Sequence, residues 1–216
     1  MSKEKPILFK DEMVRAILSG QKTQTRRTID WKRLHKQAGL SFPTKCRLAW
    51  FKAMKAWGLD AGDDVIREVT CPYGEVGDRL WVRETWRQFA AGDECGCSEA
   101  PCGCPDSGTV LFRADGDDSE SRWRPSIHMP RWASRITLEI TDVRVERLQD
   151  ISEDDARAEG VQPFRGGYWR NYQPGWTQHT LAAKGSFLSL WNSINGPDSW
   201  DANPFVWVIE FKQVTA

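Results

Sequence analysis

Residues 136–148 carry the longest β pattern in the chain, and that pattern changes sides part-way along. Ile136, Leu138 and Ile140 share one parity, whereas Val143 and Val145 share the other. Side chains alternate between the faces of a strand, so these residues stay inward only if the strand bends or bulges near Thr141-Asp142. Kinks of this kind turn the corners of small barrels. The chain is therefore expected to build a curved sheet. Residues 205–211 are apolar on both faces at their start, so that strand should run through the sheet's centre.

Shorter strands are expected over residues 5–9, 65–71, 80–84 and 110–113, with Gly77-Asp78 as a turn. Helical spacing of Val14, Ile17 and Leu18 predicts a helix over 10–19, and Phe187, Leu190, Trp191 and Ile194 predict another over 182–194. Ser152, followed by Glu153, Asp154 and Asp155, reads as an N-cap and an acidic first turn, and the short helix it opens stops at Gly160. Residues 30–64 read as a helical insertion, in which Leu48, Phe51, Met54 and Lys55 with Trp50 and Trp57 form a face ending at Gly58. A chain of 216 residues buries one sizeable core. The order of elements thus predicts one α+β domain over residues 1–216, with insertions at about 30–64 (helical), 88–109 (a cysteine-rich loop) and 162–180 (a Gly/Trp/Tyr loop).

Lys plus Arg and Asp plus Glu both number 30, so no global charge announces a polyanionic partner. Charge is instead segregated: residues 22–36 carry six cations against Asp30, and residues 115–120 carry four acids and no base. No apolar run approaches a membrane span, and the first residues lack the apolar core of a signal peptide, so a cytoplasmic protein is expected. In that compartment cysteines serve as thiols or metal ligands. Cys95, Cys97, Cys102 and Cys104 place four thiols within ten residues, and their intervening glycines let so short a loop wrap a structural Zn²⁺. Their C-x-C spacing departs from the commoner C-x₂-C, which leaves reduced thiols or a disulfide as alternatives. Cys46 and Cys71 read as plain buried thiols.

The stretch Ile17-Leu18-Ser19-Gly20-Gln21-Lys22-Thr23-Gln24-Thr25-Arg26-Arg27 is a helix end, a left-handed glycine stop and an exit rich in hydroxyls and cations. Together with Gly77-Asp78-Arg79-Leu80-Trp81-Val82, residues 148–161 and a closing strand through Val208-Ile209-Glu210-Phe211, it resembles the ASCH family. More narrowly, the chain is similar to the longer ASCH-like proteins encoded by phages and prophages, which would place it in a host cytoplasm. The resemblance covers about a third of the residues and implies a PUA-like small β-barrel with peripheral helices. The small bacterial members are about half as long, so the three insertions have no counterpart in them.

Some small members deacetylate N4-acetylcytidine, and in their pattern the lysine, threonine and glutamate fall on Lys22, Thr25 and Glu159. The resemblance thus implies an amidohydrolase that needs no catalytic cofactor. Other members imply alternatives: a non-catalytic module that reads a base in single-stranded RNA or DNA, or a nuclease.

Amide hydrolysis needs a nucleophile, a proton carrier and a stabiliser for the oxyanion. Thr25 is a candidate nucleophile or orienter of water. Lys22 is a candidate base if desolvated, or an oxyanion stabiliser if charged. Glu159 sits in the last turn of its helix, where the macrodipole disfavours negative charge, which suits a carboxylate that transfers protons. In a regular strand Lys22 and Thr25 would face opposite ways, so a break in regularity is expected near Lys22.

Arg26 and Arg27 are candidate phosphate contacts. The segment 122–135 holds four arginines, two tryptophans and no acid, so Trp123, Arg124, His128, Arg131 and Trp132 are candidates for stacking a base and holding phosphate. Structural cation–π packing is the alternative there. Arg83 and Glu84 are expected to form a cross-strand ion pair.

Overall fold

A computed structural model describes residues 3–51, 56–63, 65–97, 102–116, 122–173, 175 and 179–214. The chain begins with strand β1 (Glu4–Leu8), helix α1 (Asp11–Leu18), strand β2 (Gln24–Thr28) and helix α2 (Trp31–Gln37). Strands β3 (Arg47–Phe51), β4 (Ala56–Asp60), β5 (Ile66–Val69), β6 (Arg79–Arg83) and β7 (Trp86–Gln88) follow. A one-turn helix α3 (Ala91–Glu94) precedes β8 (Val110–Phe112), and after three 3₁₀ turns among the described residues comes β9 (Thr137–Arg147). The last elements are α4 (Glu153–Ala158), β10 (Trp169–Arg170), β11 (His179–Thr180), α5 (Ala183–Asn195) and β12 (Phe205–Val214).

The fold is α+β around a mixed five-stranded sheet ordered β1-β6-β9-β12-β2. β1 runs parallel to β6, and the other neighbours are antiparallel. The two longest strands, β9 and β12, pair along their whole length, and their register slips where Glu210 opposes Asp142 and Phe211 opposes Ile140. Thr141 is the extra residue, so the bulge falls where the change of parity requires it. Val206, Trp207, Val208 and Ile209 on β12 are all buried, as an interior strand covered on both faces demands.

Among the described residues the sheet is open, with β1 and β2 as its edges. It curls enough that Arg27 on β2 donates from Nη2 to the carbonyl of Leu8 on β1 at 2.6 Å. A side chain, not a backbone ladder, bridges that seam.

The helical reading of residues 30–64 holds only for α2, which Asp30 caps through a bond from Arg33 N. Residues 47–51 and 56–60 instead pair as antiparallel strands, extended by β5. Leu48 lies opposite Leu59 and Trp50 opposite Trp57, whose ring in turn meets Trp207 of the main sheet edge-on at 5.3 Å. Cross-strand aromatic pairing and contact with the core outweigh the helical spacing seen in isolation. Met54 and Lys55 lie outside the described residues. The 162–180 loop contains the two-residue pairing of β10 with β11, and the cysteine loop joins β7 to β8.

No helix among the described residues is long and apolar enough to cross a membrane.

Candidate functional site

At the end of α1 the chain turns back on the helix it has just left. Ser19 donates to the Arg15 carbonyl, Gly20 takes φ +74°, and Lys22 N then bonds to the carbonyl of Ala16 at 2.9 Å. Thr23 N reaches the Ala158 carbonyl, at the end of α4, also at 2.9 Å. Regular strand begins only at Gln24. The expected break near Lys22 is therefore present, and it aims the lysine at α4.

Glu159 is the C-cap residue of α4, whose other end is fixed by Ser152 accepting from Asp155 N. Lys22 and Glu159 are both buried, with Lys22 Nζ 2.8 Å from Glu159 Oε2. The same nitrogen lies 2.7 Å from the Glu159 carbonyl and 2.8 Å from the Gln24 carbonyl. Burial pushes the Lys22 ammonium below the ordinary lysine range, and the Glu159 carboxylate opposes that shift. Three acceptors at these distances use all three N–H groups, so this arrangement holds the charged form. It leaves Lys22 no lone pair for a base and no proton for an oxyanion.

The other carboxylate oxygen, Glu159 Oε1, is buried and has no hydrogen-bond partner among the described residues. Arg26 Nη1 lies 3.5 Å from it. Lys22, Thr25, Arg27 and Glu159 line a cavity of about 230 Å³ together with Phe9, Phe187 and Trp191. The Thr25 hydroxyl makes no hydrogen bond among the described residues and is left to whatever enters. Buried Trp191 Nε1 and Arg27 Nε also lack partners there. A cavity lined by aromatic rings and by unsatisfied polar groups suits a flat heterocycle with polar substituents.

Arg26 is not a phosphate contact. Its side chain is fully buried, with Nη2 at 2.9 Å from Glu146 and 3.3 Å from Asp155, and Nη1 at 2.6 Å from Gln24 Oε1. Arg144 closes the network from β9, holding Glu146, Asp155 and Glu210. Burial in the low-dielectric interior requires such pairing, and these carboxylates lie too far along the chain for local sequence to reveal. Arg27 stays at the cavity wall, but its guanidinium is committed to the Leu8 carbonyl and packs over the Phe9 ring at 5.2 Å. Burial lowers its pKa.

The 122–135 segment divides. Arg131 pairs with Glu4 at 2.9 Å and Arg135 grips Glu84 with two bonds of 3.0 Å, so these two are structural. Glu84 thus pairs with Arg135 and not with Arg83, whose guanidinium goes to the Ile127 carbonyl. Burial raises the pKa of Glu84 against the pull of Arg135. Trp123, Arg124 and His128 remain together, lining an open groove of about 570 Å³ with Arg87 and Arg122. Arg87 lies over Trp123 and Arg124 over Trp86, each at 5.2 Å, so the expected cation–π packing is also present. Trp132 is 64 % exposed and meets Trp86 edge-on outside that groove.

The sulfurs of Cys95, Cys97, Cys102 and Cys104 lie within 4.8 Å of one another, close enough to hold one metal ion. Cys95–Cys102 and Cys97–Cys104 approach to 3.3 and 3.5 Å. Zn–S bonds of about 2.3 Å in a tetrahedron place sulfurs roughly 3.8 Å apart, so the four residues fit that ion. Cys71 is buried and its thiol is pushed up to about 11; Cys46 is half-buried with its thiol also raised by burial.

Several site residues had no signal in the sequence. Phe9, Tyr73 and Asn195 border the cavity, and Trp191 had read as core packing of α5. Fold and site together define an α+β protein with a buried Lys–Glu pair at the wall of a small amphipathic cavity. In comparisons with known proteins, no family model, curated protein or solved structure matches the chain.

Proposed function

We propose that the protein is an amidohydrolase that removes an acyl group from the exocyclic nitrogen of a modified pyrimidine nucleoside such as N4-acetylcytidine. One observation carries this reading. The buried carboxylate of Glu159 is clamped through Oε2 by Lys22, while Oε1 has no hydrogen-bond partner at the wall of a nucleoside-sized cavity. Oε1 is the proton acceptor. Thr25 has no hydrogen bond to any base that would activate it as a nucleophile, so its hydroxyl orients the attacking water. Glu159 takes one proton from that water as the C–O bond forms, then delivers it to the departing ring amine as the C–N bond breaks, giving the free base and a carboxylic acid. Lys22 is a positioning residue that fixes the carboxylate and offsets its charge. Phe9 and Trp191 supply faces on which the base stacks.

We also place the chain with the ASCH-like, PUA-like proteins. Support comes from the curled sheet, the glycine stop before Lys22 and the second glycine stop after Glu159. The cysteine cluster would hold a structural Zn²⁺ that staples the β7–β8 loop. Four thiolates leave it no open coordination position, so it lies outside the chemistry.

A non-catalytic module that reads a base is the second reading, favoured by the arginine–tryptophan groove. A nuclease is less well supported, because Arg26 is occupied by carboxylates. Hydrolysis of N4-acetylcytidine by wild type, with loss of at least 100-fold in Glu159→Gln and Lys22→Ala, is the expected result. No turnover across a panel of acylated nucleosides would leave the binding reading in its place.

A further inference from the structure

The cavity and the arginine–tryptophan groove are joined across the surface. Leu8 lines the cavity and pairs in register with Arg83 on β6. Arg83 in turn donates to the carbonyl of Ile127, and the next residue, His128, lines the groove. Two apolar side chains are open to solvent on this line, Leu8 at 41 % and Ile127 at 59 % exposed.

The groove has an unusual charge balance for this protein. Arg113, Arg131 and Arg135, close by in sequence, are neutralised by Asp11, Glu4 and Glu84. Among the described residues, Arg122 and Arg124 are exposed and have no ion pair, and no carboxylate lines the groove. Guanidinium groups left without carboxylates beside an indole provide phosphate contacts and a stacking face together. A free nucleoside has no phosphate to use them.

We infer that the natural substrate is a modified base carried in a single-stranded nucleic acid, with its target base in the cavity. The neighbouring nucleotides cross Leu8 and Ile127, and their phosphates lie on Arg122 and Arg124. This rests on the amidohydrolase reading of the Lys22–Glu159 cavity and names its substrate class.

The test compares free N4-acetylcytidine with strands of about ten nucleotides, within the range such grooves span, each carrying one acetylated cytosine on a ribose or deoxyribose backbone. KM for at least one strand is expected to be about 10-fold below that of the nucleoside, an advantage that shrinks as salt rises. Replacing both arginines (Arg122→Ala with Arg124→Ala) should raise KM for the strand about 10-fold and leave the nucleoside unchanged, which a general folding defect would not do. Equal KM for strand and nucleoside, or an equal effect of the double variant on both, would overturn the inference. If neither substrate is hydrolysed, the catalytic reading fails, and fluorescence anisotropy with unmodified strands decides the groove separately. Binding retained in Lys22→Ala and lost in the arginine double variant upholds it as a strand site. Absence of binding by wild type at about 50 mM salt overturns it.

Discussion

Gly160 stands where any side chain would collide with Lys22. A Cβ built on it would lie 2.8 Å from the Lys22 Cβ and 2.9 Å from the Ala16 Cβ, and its φ of +84° already disfavours other residues. This glycine both ends α4 and leaves the space through which Lys22 passes to reach Glu159. Gly160→Ala is expected to cost roughly 1–3 kcal/mol in backbone strain and about as much again in overpacking. Activity should fall more than 10-fold as the lysine is displaced. Gly20→Ala is the control, because Gly20 has φ +74° but nothing within 4 Å of its missing Cβ. It should cost only about 1 kcal/mol in urea denaturation.

Removing one member of the buried pair should be worse than removing both. Lys22→Met strands the Glu159 carboxylate, with side chains 2 % and 4 % exposed in the pair, and is expected to destabilise by about 3–5 kcal/mol. The double variant with Glu159→Leu removes that uncompensated charge and should recover most of the loss while remaining inactive. Denaturant midpoints of the two singles and the double form a cycle that measures this. Additive losses would show that the pair does not act as a unit.

The elements of this site were legible where they depend on neighbours in sequence. Helical spacing and Gly20 placed the end of α1, Ser152 placed the start of α4, and the change of parity after Ile140 placed the bulge. Partners that arrive from far away were not legible. Arg26 reads as an exposed cation on a strand until Glu146, Asp155 and Glu159 close around it. Leu48, Phe51, Met54 and Lys55 with Trp50 and Trp57 read as a helical face, yet Leu48 and Trp50 also alternate, as do Trp57 and Leu59, and only the pairing of β3 with β4 decides between the two. The pairing of Lys22 with Glu159 was anticipated from resemblance. Its consequence, that all three ammonium protons are engaged, required coordinates.

Lys22 should also give the activity an alkaline limb. Its folded pKa lies below the ordinary lysine value of about 10.4 because burial disfavours the charge. As pH rises through the folded value, Lys22 loses a proton, Glu159 loses part of its clamp, and kcat/KM falls. Stability moves the other way. Between the folded value and about 10.4 the unfolded chain binds more protons at this site, so this residue's contribution rises with pH. Profiles of kcat/KM, and of the stability difference between wild type and Lys22→Met, taken from pH 7 to 10 check both signs. A wild-type rate that stays flat to pH 10 would exclude the charged-lysine role.

The cysteine cluster makes a prediction that is independent of catalysis. Its loop joins β7 to β8, and that hairpin is only three residues long on each side. So short a pairing is marginal by itself. The hairpin has support at its base, where Trp86 exchanges backbone bonds with Arg124 at 3.2 and 2.9 Å, and at its loop end two more follow, from Phe89 N to the Thr109 carbonyl at 2.9 Å and from Gly108 N to the Phe89 carbonyl at 2.8 Å. A zinc ion held by the four sulfurs would fix that end. Native mass spectrometry should therefore find one Zn²⁺ per chain, lost when Cys97 and Cys102 are replaced by serine. The metal-free protein should keep its main sheet and lose amide-exchange protection selectively over residues 86–88 and 110–112. Loss of about 1–2 kcal/mol would lower the Tm by roughly 2–8 °C for a domain of this size. If the serine variant binds no metal and protects the hairpin as well as wild type does, the cluster has no part in holding that loop.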